Sequence, residues 1–187
     1  MLIAQITDLH IMAENRLVYG EVDTTACLAR AIDQLNALDP CPDLALLTGD
    51  LVDAGSPGEY VRLRAELARL RIPYRVIPGN HDARETLRAG FPDHPYLRTD
   101  PDFCHFVDED WPVRVIGLDS LESNLIEGVM CADRLAWLDR VLAAQPTKPT
   151  LVCVHHPPFA TGVAHMDALP MRGADGFAAV IARHHQV

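Results

Sequence analysis

At 187 residues, 49% of them apolar and 22% charged, the chain has the make-up of one globular domain able to bury a sizeable core. Its formal net charge of −10 excludes a basic surface for a nucleic-acid polymer or an anionic membrane, so Lys and Arg cannot be what attracts an anionic substrate. Cys27, Cys41, Cys104, Cys131 and Cys153 form no CxxC pair, the opening MLIAQITDLH has no basic leader, and no apolar run nears the ~18 residues of a membrane span, so the expectation is a cytoplasmic protein with reduced thiols.

Leu2 to Thr7 is a short apolar run and predicts a first strand. Asp23 or Thr24 can cap a helix running to about Leu38, with Leu28, Ile32 and Leu35 on one face, and Asp39-Pro40 stops it. Asp43 to Thr48 predicts a second strand, entering Gly49-Asp50. Ser56, with Pro57 behind it and Glu59 three residues on, reads as a capped start for a helix carrying Leu63, Leu67 and Leu70. Tyr74 to Ile77 predicts a third strand. Phe103–Val107 and Val113–Leu118 read as a strand pair around Trp111-Pro112, and residues 132–144 repeat Leu135, Leu138, Val141 and Leu142 at helical spacing. Thr150 to Val154 is another buried strand, and Phe177 to Ile181 reads as helical. Alternating strands and helices with continuously apolar strands predict an α/β fold, a layered sandwich of mixed sheets flanked by helices. Such folds place their sites at the carboxyl ends of the strands.

The apolar runs give way to residues with chemistry. The first ends in Asp8 and His10, the second in Asp50, the third in Asn80, His81 and Asp82, and the last in His155 and His156. Each alone fits a turn residue or a loop histidine. Gathered at one edge of one sheet, they make a donor set of carboxylate, amide oxygen and imidazole that suits hard or borderline divalent cations. The D-x-H spacing lets Asp8 and His10 point to one side of an extended segment. Asp50, on the middle of three strand ends, is suited to bridge two ions ~3.5–4 Å apart. Pro78-Gly79 reads as the turn that lets Asn80 and His81 serve different partners.

"DLH" at 8–10, "GDLVD" at 49–53, "GNHD" at 79–82 and "HHPP" at 155–158 resemble the calcineurin-like metallophosphoesterases, and within them the class III cyclic-nucleotide phosphodiesterase and glycerophosphodiesterase group. "RLVYGEVDT" at 16–24 is similar to the same group, and the resemblance covers essentially the whole chain. It implies a two-metal-ion hydrolysis of small phosphodiesters, glycerophosphodiesters or 3′,5′-cyclic nucleotides, by a metal-bound hydroxide. One metal, by resemblance, is held by Asp8, His10 and Asp50, and the second by Asp50, Asn80 and His155 in preference to His156. The ions would be Mn, Fe, Co or Zn. His81 is implied as the catalytic group at the phosphoryl oxygen or leaving group, with Asp82 orienting it or stabilising the loop. His156, Asn15, Tyr19 and the loop 159–172 are candidate substrate contacts.

The family's downstream Gly-His-x-His is missing, and the expectation is a metallophosphoesterase domain over 1–187 cut off before that segment, which would also carry any homo-oligomer contacts. His165, His184 and His185 are the candidate substitutes; the expectation is a plain loop for the first and solvent for the adjacent pair. Two rival readings remain: a phosphomonoesterase or protein phosphatase with the same ligands, and a non-catalytic scaffold of the same fold. Retention of Asp8, His10, Asp50, Asn80, His81 and His155 argues against the scaffold.

Overall fold

The computed structural model describes residues 1–14 and 16–187. Its first half builds β1 (Ile3–Ile6), α1 (Thr24–Ala37), β2 (Leu44–Thr48), α2 (Pro57–Leu67), β3 (Tyr74–Ile77) and α3 (Arg84–Gly90). The second half builds β4 (Phe106–Asp108), β5 (Arg114–Leu118), α4 (Ala132–Ala143), β6 (Thr150–Val154), α5 (Ala164–Asp167) and α6 (Ala174–Ile181). One sheet runs β1-β2-β3, all parallel; the other runs β4-β5-β6, with β4 antiparallel and β6 parallel to β5.

The sheets stack face to face with helices outside both. The register of side chains along β2 shows how. Ala45 and Leu47 pack with Leu28 and Ile32 of α1 and Leu63 and Leu67 of α2. Leu44 and Leu46 point the other way, onto Phe106 of β4 and Val115 of β5. Ile116 and Leu118 of β5 then face Leu138 and Leu142 of α4 and Phe177 and Val180 of α6. The strand looks uniformly apolar because both of its faces are covered, yet it still alternates between two cores. The expected layered α/β sandwich is what forms.

Local chemistry sets the element ends. The Asp23 carboxylate accepts the Ala26 N–H at 2.9 Å, capping α1. Glu59, only 3% exposed, reaches back to the N–H groups of Ser56 at 2.9 Å and Ala54 at 3.1 Å, closing the start of α2. Three features differ from expectation. α2 ends at Leu67, and Leu70 packs against the core from the turn beyond it. β4 begins at Phe106 rather than Phe103, because the Cys104 N–H is given to the Asp119 carboxylate at 2.9 Å instead of to a strand neighbour. α3, a 3-10 turn at Pro95–Arg98 and α5 add to the expected elements. Among the described residues, no helix is long and apolar enough to cross a membrane.

Candidate metal centre

Where β1 and β2 end, their chains continue side by side. The Asp8 N–H donates to Gly49 O at 3.1 Å, His10 N–H to Asp50 O at 3.0 Å and Ile11 N–H to Leu51 O at 3.3 Å. Both chains kink here. Asp8, His10 and Asp50 have φ of +56°, +40° and +46°, a left-handed conformation that costs non-glycine residues ~1–3 kcal/mol each. These three strained backbones all belong to predicted metal ligands. They are held by the surrounding hydrogen bonds, and they turn the side chains into one space.

Asp50 lies at its centre, 5% exposed. Its Oδ1 is 3.4 Å from His155 Nε2 and its Oδ2 is 3.6 Å from His10 Nε2. His155 Nδ1 donates to the Thr48 carbonyl at 2.8 Å, which fixes the tautomer and leaves Nε2 bare. Two glycines make room for this. A Cβ on Gly49, whose φ is +100°, would meet the His155 ring at 2.5 Å. A Cβ on Gly79 would collide with the Asp50 carboxylate and sit 2.8 Å from the His155 ring. Gly79 begins the turn closed by the Asp82 N–H on its carbonyl at 3.3 Å, and it is needed for space as well. Burial works to raise the Asp50 carboxyl, but the hydrogen bond and charge of a protonated His155, together with the His81 N–H, outweigh it and hold it below the usual range. Burial likewise opposes protonation of His155, and the Asp50 partner overcomes it, so that imidazole lies above its ordinary value.

The GNHD loop closes over this pair. His81 N–H donates to Asp50 Oδ1 at 2.9 Å, while its ring Nδ1 donates to the Asp53 carbonyl at 2.7 Å. The ring is edge-on to His10, centroids 4.6 Å apart, and 40% of the His81 side chain stays exposed. Of the two roles expected for Asp82, the structure shows the loop-stabilising one. Its carboxylate accepts from Gly79 N at 2.8 Å, Leu51 N at 3.1 Å and Tyr60 Oη at 2.8 Å, and none of these bonds goes to the His81 ring.

His156 turns away. It is 8% exposed, with Nδ1 2.7 Å from Ser120 Oγ and Nε2 3.0 Å from Ile126 O. Burial, helped by the neighbouring His155, pushes its pKa down to about 4, so it is neutral. Its contacts tie the end of β6 to the loop bearing Ile126. Both residues line a cavity of about 490 Å³ with Asp8, Asp50, Asn80 and His155. His165 lines it too, carried by α5 rather than by the plain loop expected. His184 is not solvent-facing as expected; its Nε2 meets Asp139 at 2.8 Å, while His185 is exposed. Tyr19 stands 95% exposed at a tight turn, and Asn15 lies outside the described residues.

Two groups of potential ligands result, each with donor atoms within 4.8 Å: Asp8, Asp50 and His155, and His10, Asp53 and His81. Asp53 closes the GDLVD motif, and no feature of that motif marks it for a place in the second group. It sits 3.4 Å from His10 Nδ1, a buried ring nitrogen that makes no hydrogen bond. An unsatisfied buried nitrogen, a bared imidazole Nε2 and a carboxylate between two imidazoles fit divalent metal ions. The ligands are grouped differently from the expected Asp8–His10–Asp50 set, although Asp50 still lies within reach of both imidazoles.

The chain has relatives elsewhere. A family model described as calcineurin-like phosphoesterase matches residues 1–183. A probable glycerophosphodiester phosphodiesterase of Arcobacter nitrofigilis is 36% identical over 188 aligned residues, covering 100% of this chain and 68% of the relative. A probable cyclic nucleotide phosphodiesterase of Synechococcus is 38% identical over 99% of this chain and 69% of the relative. The 3′,5′-cyclic adenosine monophosphate phosphodiesterase of Escherichia coli K12 is 29% identical, over 99% of this chain and 66% of its own length. The chain thus spans about two thirds of the curated relatives it matches. Among solved structures, a purple acid phosphatase from yellow lupin seeds superposes with a TM-score of 0.56 at 11% identity, covering 90% of this chain and 33% of that one; at that identity the likeness is one of fold.

Proposed function

This chain belongs to the calcineurin-like phosphoesterases, and from that premise we propose that it carries the two-metal centre of a hydrolase acting on small phosphodiesters. The observation that carries the reading is the Asp50 carboxylate set between His10 and His155, with the His155 Nε2 bared by the Thr48 carbonyl. Relatives named for glycerophosphodiester and cyclic nucleotide hydrolysis support the choice of diesters.

In this reading Asp8, His10, Asp50, Asn80 and His155 would hold two divalent ions of the Mn, Fe, Co or Zn type. When bound, such ions neutralise the phosphate and acidify a water enough for attack near neutral pH, the part a basic patch cannot play on a chain of charge −10. The protein's share is orientation. Asp50 takes the His81 N–H and so ties the GNHD loop to the carboxylate that would hold the ions. The Asp53 carbonyl accepts a hydrogen bond from His81 Nδ1, and the half-exposed ring, as the imidazolium with its second proton on Nε2, can bind a phosphoryl oxygen or pass that proton to the departing alkoxide. Asp82 keeps the loop in place, and His156 braces the Ile126 loop against the end of β6 rather than touching substrate. Tyr19 has no role in this reading.

The test is hydrolysis of bis(p-nitrophenyl) phosphate by the full-length protein with added Mn²⁺, together with metal content per chain. Asn80→Ala should lower both metal occupancy and turnover. Unchanged activity in that variant would remove Asn80 from the ligand set, and a protein that retains no metal and cleaves no diester would leave the scaffold reading standing.

A further inference from the structure

Asn80 also lines a second cavity of about 520 Å³, one that shares no other residue with the metal-site cavity. Its walls include Arg84, Glu85 and Asp102 on one side and Ser123 and Asn124 on the other. The two cations on its lining are already committed. Arg84 forks onto Asp119, Nε to Oδ2 at 2.6 Å and Nη2 to Oδ1 at 3.0 Å, and also holds the Leu121 carbonyl. Arg88, likewise on the lining, points its guanidinium at the main-chain carbonyls of Leu97, Asp100, Pro101 and Phe103.

The anionic side is different. Glu85 and Asp102 are exposed, and neither makes an ion pair among the described residues. Ser123 and Asn124 are exposed at the tip of a turn closed by Leu125 N–H to Glu122 O at 3.1 Å. That turn is firmly placed. Asp119 is fully buried and also accepts the N–H groups of Cys104 and Leu121, while Arg134 grips the Leu121 carbonyl at 2.6 Å from a site 1% exposed. Arg84 lies two residues beyond the GNHD loop, so one bidentate ion pair fixes the far wall of this chamber relative to the metal centre.

Resting on the reading of a phosphodiester at the metal centre, we propose that this second chamber receives one alcohol arm of the substrate and selects a hydroxylated arm without negative charge, such as glycerol, over an anionic one. Ser123, Asn124 and Asn80 offer hydroxyl and amide groups to the hydroxyls of such an arm. Glu85 and Asp102 repel a carboxylate or second phosphate, which is discrimination by a built-in penalty. A 3′,5′-cyclic nucleotide, with both ester oxygens on one ribose, has no separate arm to place there, so the chamber favours the open-chain diesters.

Three ligands test this on the full-length, Mn²⁺-loaded protein by calorimetry. Inorganic phosphate reports the metal centre alone, and sn-glycerol 3-phosphate and 3-phosphoglycerate differ chiefly in a carboxylate at the far end. The expected result is that the glycerol compound binds about tenfold more tightly than the glycerate, the size of a like-charge contact near a surface. Replacing both carboxylates, Glu85→Gln with Asp102→Asn, should shrink that preference to about threefold or less; both side chains are exposed, so folding is not at stake. Equal binding of the two, or a preference indifferent to the double substitution, overturns the chamber while phosphate binding keeps the metal centre. Failure to bind even phosphate overturns both.

Discussion

Two buried acids, Asp119 behind β5 and Asp50 at the end of β2, sit in opposite settings. Asp119 is fully buried and has a closed set of partners, the Arg84 guanidinium and two backbone N–H groups. At the ends of β1 and β2, by contrast, the backbone is left-handed at Asp8, His10 and Asp50, and His10 Nδ1 is buried without a hydrogen bond. A closed set of partners marks a group that holds the fold together. Open donor atoms on a strained backbone mark a group waiting for something outside the chain. Substitutions at the strand ends should therefore damage binding and chemistry, and those behind β5 should damage stability.

The largest expected effect belongs to Gly79→Ala. Its methyl group has nowhere to go but the Asp50 carboxylate and the His155 ring, so it displaces both proposed ligands at once. Loss of metal affinity and activity should exceed the ~10–100-fold seen when a residue merely orienting a ligand is removed. Overpacking should cost ~1–3 kcal/mol of stability besides. Metal analysis of the folded variant decides it; full occupancy would mean that the Asp50–His155 geometry is not what binds the ions. Next comes Arg84→Ala, behind β5. It strands a fully buried Asp119, which should cost ~3–5 kcal/mol in urea unfolding. A variant as stable as the parent would show that the pair is not structural, and the contrast between the two regions would fail at its strongest example.

Most of the architecture is legible in the chain because strands buried on both faces announce themselves as apolar runs, as Leu44–Thr48 does. The ligand candidates are legible for the same reason: Asp8, His10, Asp50, Asn80 and His155 each lie just past the carboxyl end of such a run. The contacts that give them meaning are not. His155 meets Thr48 across 107 residues, and nothing local tells that Gly49 and Gly79 are small in order to admit its ring. Asp53 carries no signal of its own, because an acid three residues past Asp50 looks like ordinary loop polarity until it is seen beside His10. α3 and the 3-10 turn at 95–98 escape notice because Arg84–Arg98 has weak apolar periodicity; Arg88 and Arg98 hold that segment through main-chain carbonyls instead.

The smallest expected effect separates region from partner count. Tyr60 belongs to the first half of the chain, yet its hydroxyl is fully engaged, giving a hydrogen bond to Asp82 at 2.8 Å from a side chain with no exposure. If completeness of partners decides the role, Tyr60→Phe should act on stability, by ~1–3 kcal/mol, and change turnover little. The pH dependence gives it a signature. Burial pushes the Asp82 carboxyl up to about 6, against the bonds from Gly79, Tyr60 and Leu51 that favour its charged form. A folded pKa above the unfolded one contributes stability that is complete below the unfolded value, ~3.9, and is lost as pH rises through about 6. Removing the Tyr60 hydroxyl takes away a bond to the charged form and raises that pKa further. The cost of the variant should therefore be largest above pH 6 and shrink toward pH 4, measured by urea unfolding of parent and variant side by side. A flat difference across that range would detach Tyr60 from Asp82. A stable protein with large loss of turnover would mean that the loop carrying His81 answers to the helix behind it, and that position in the first half matters more than how completely a group is satisfied.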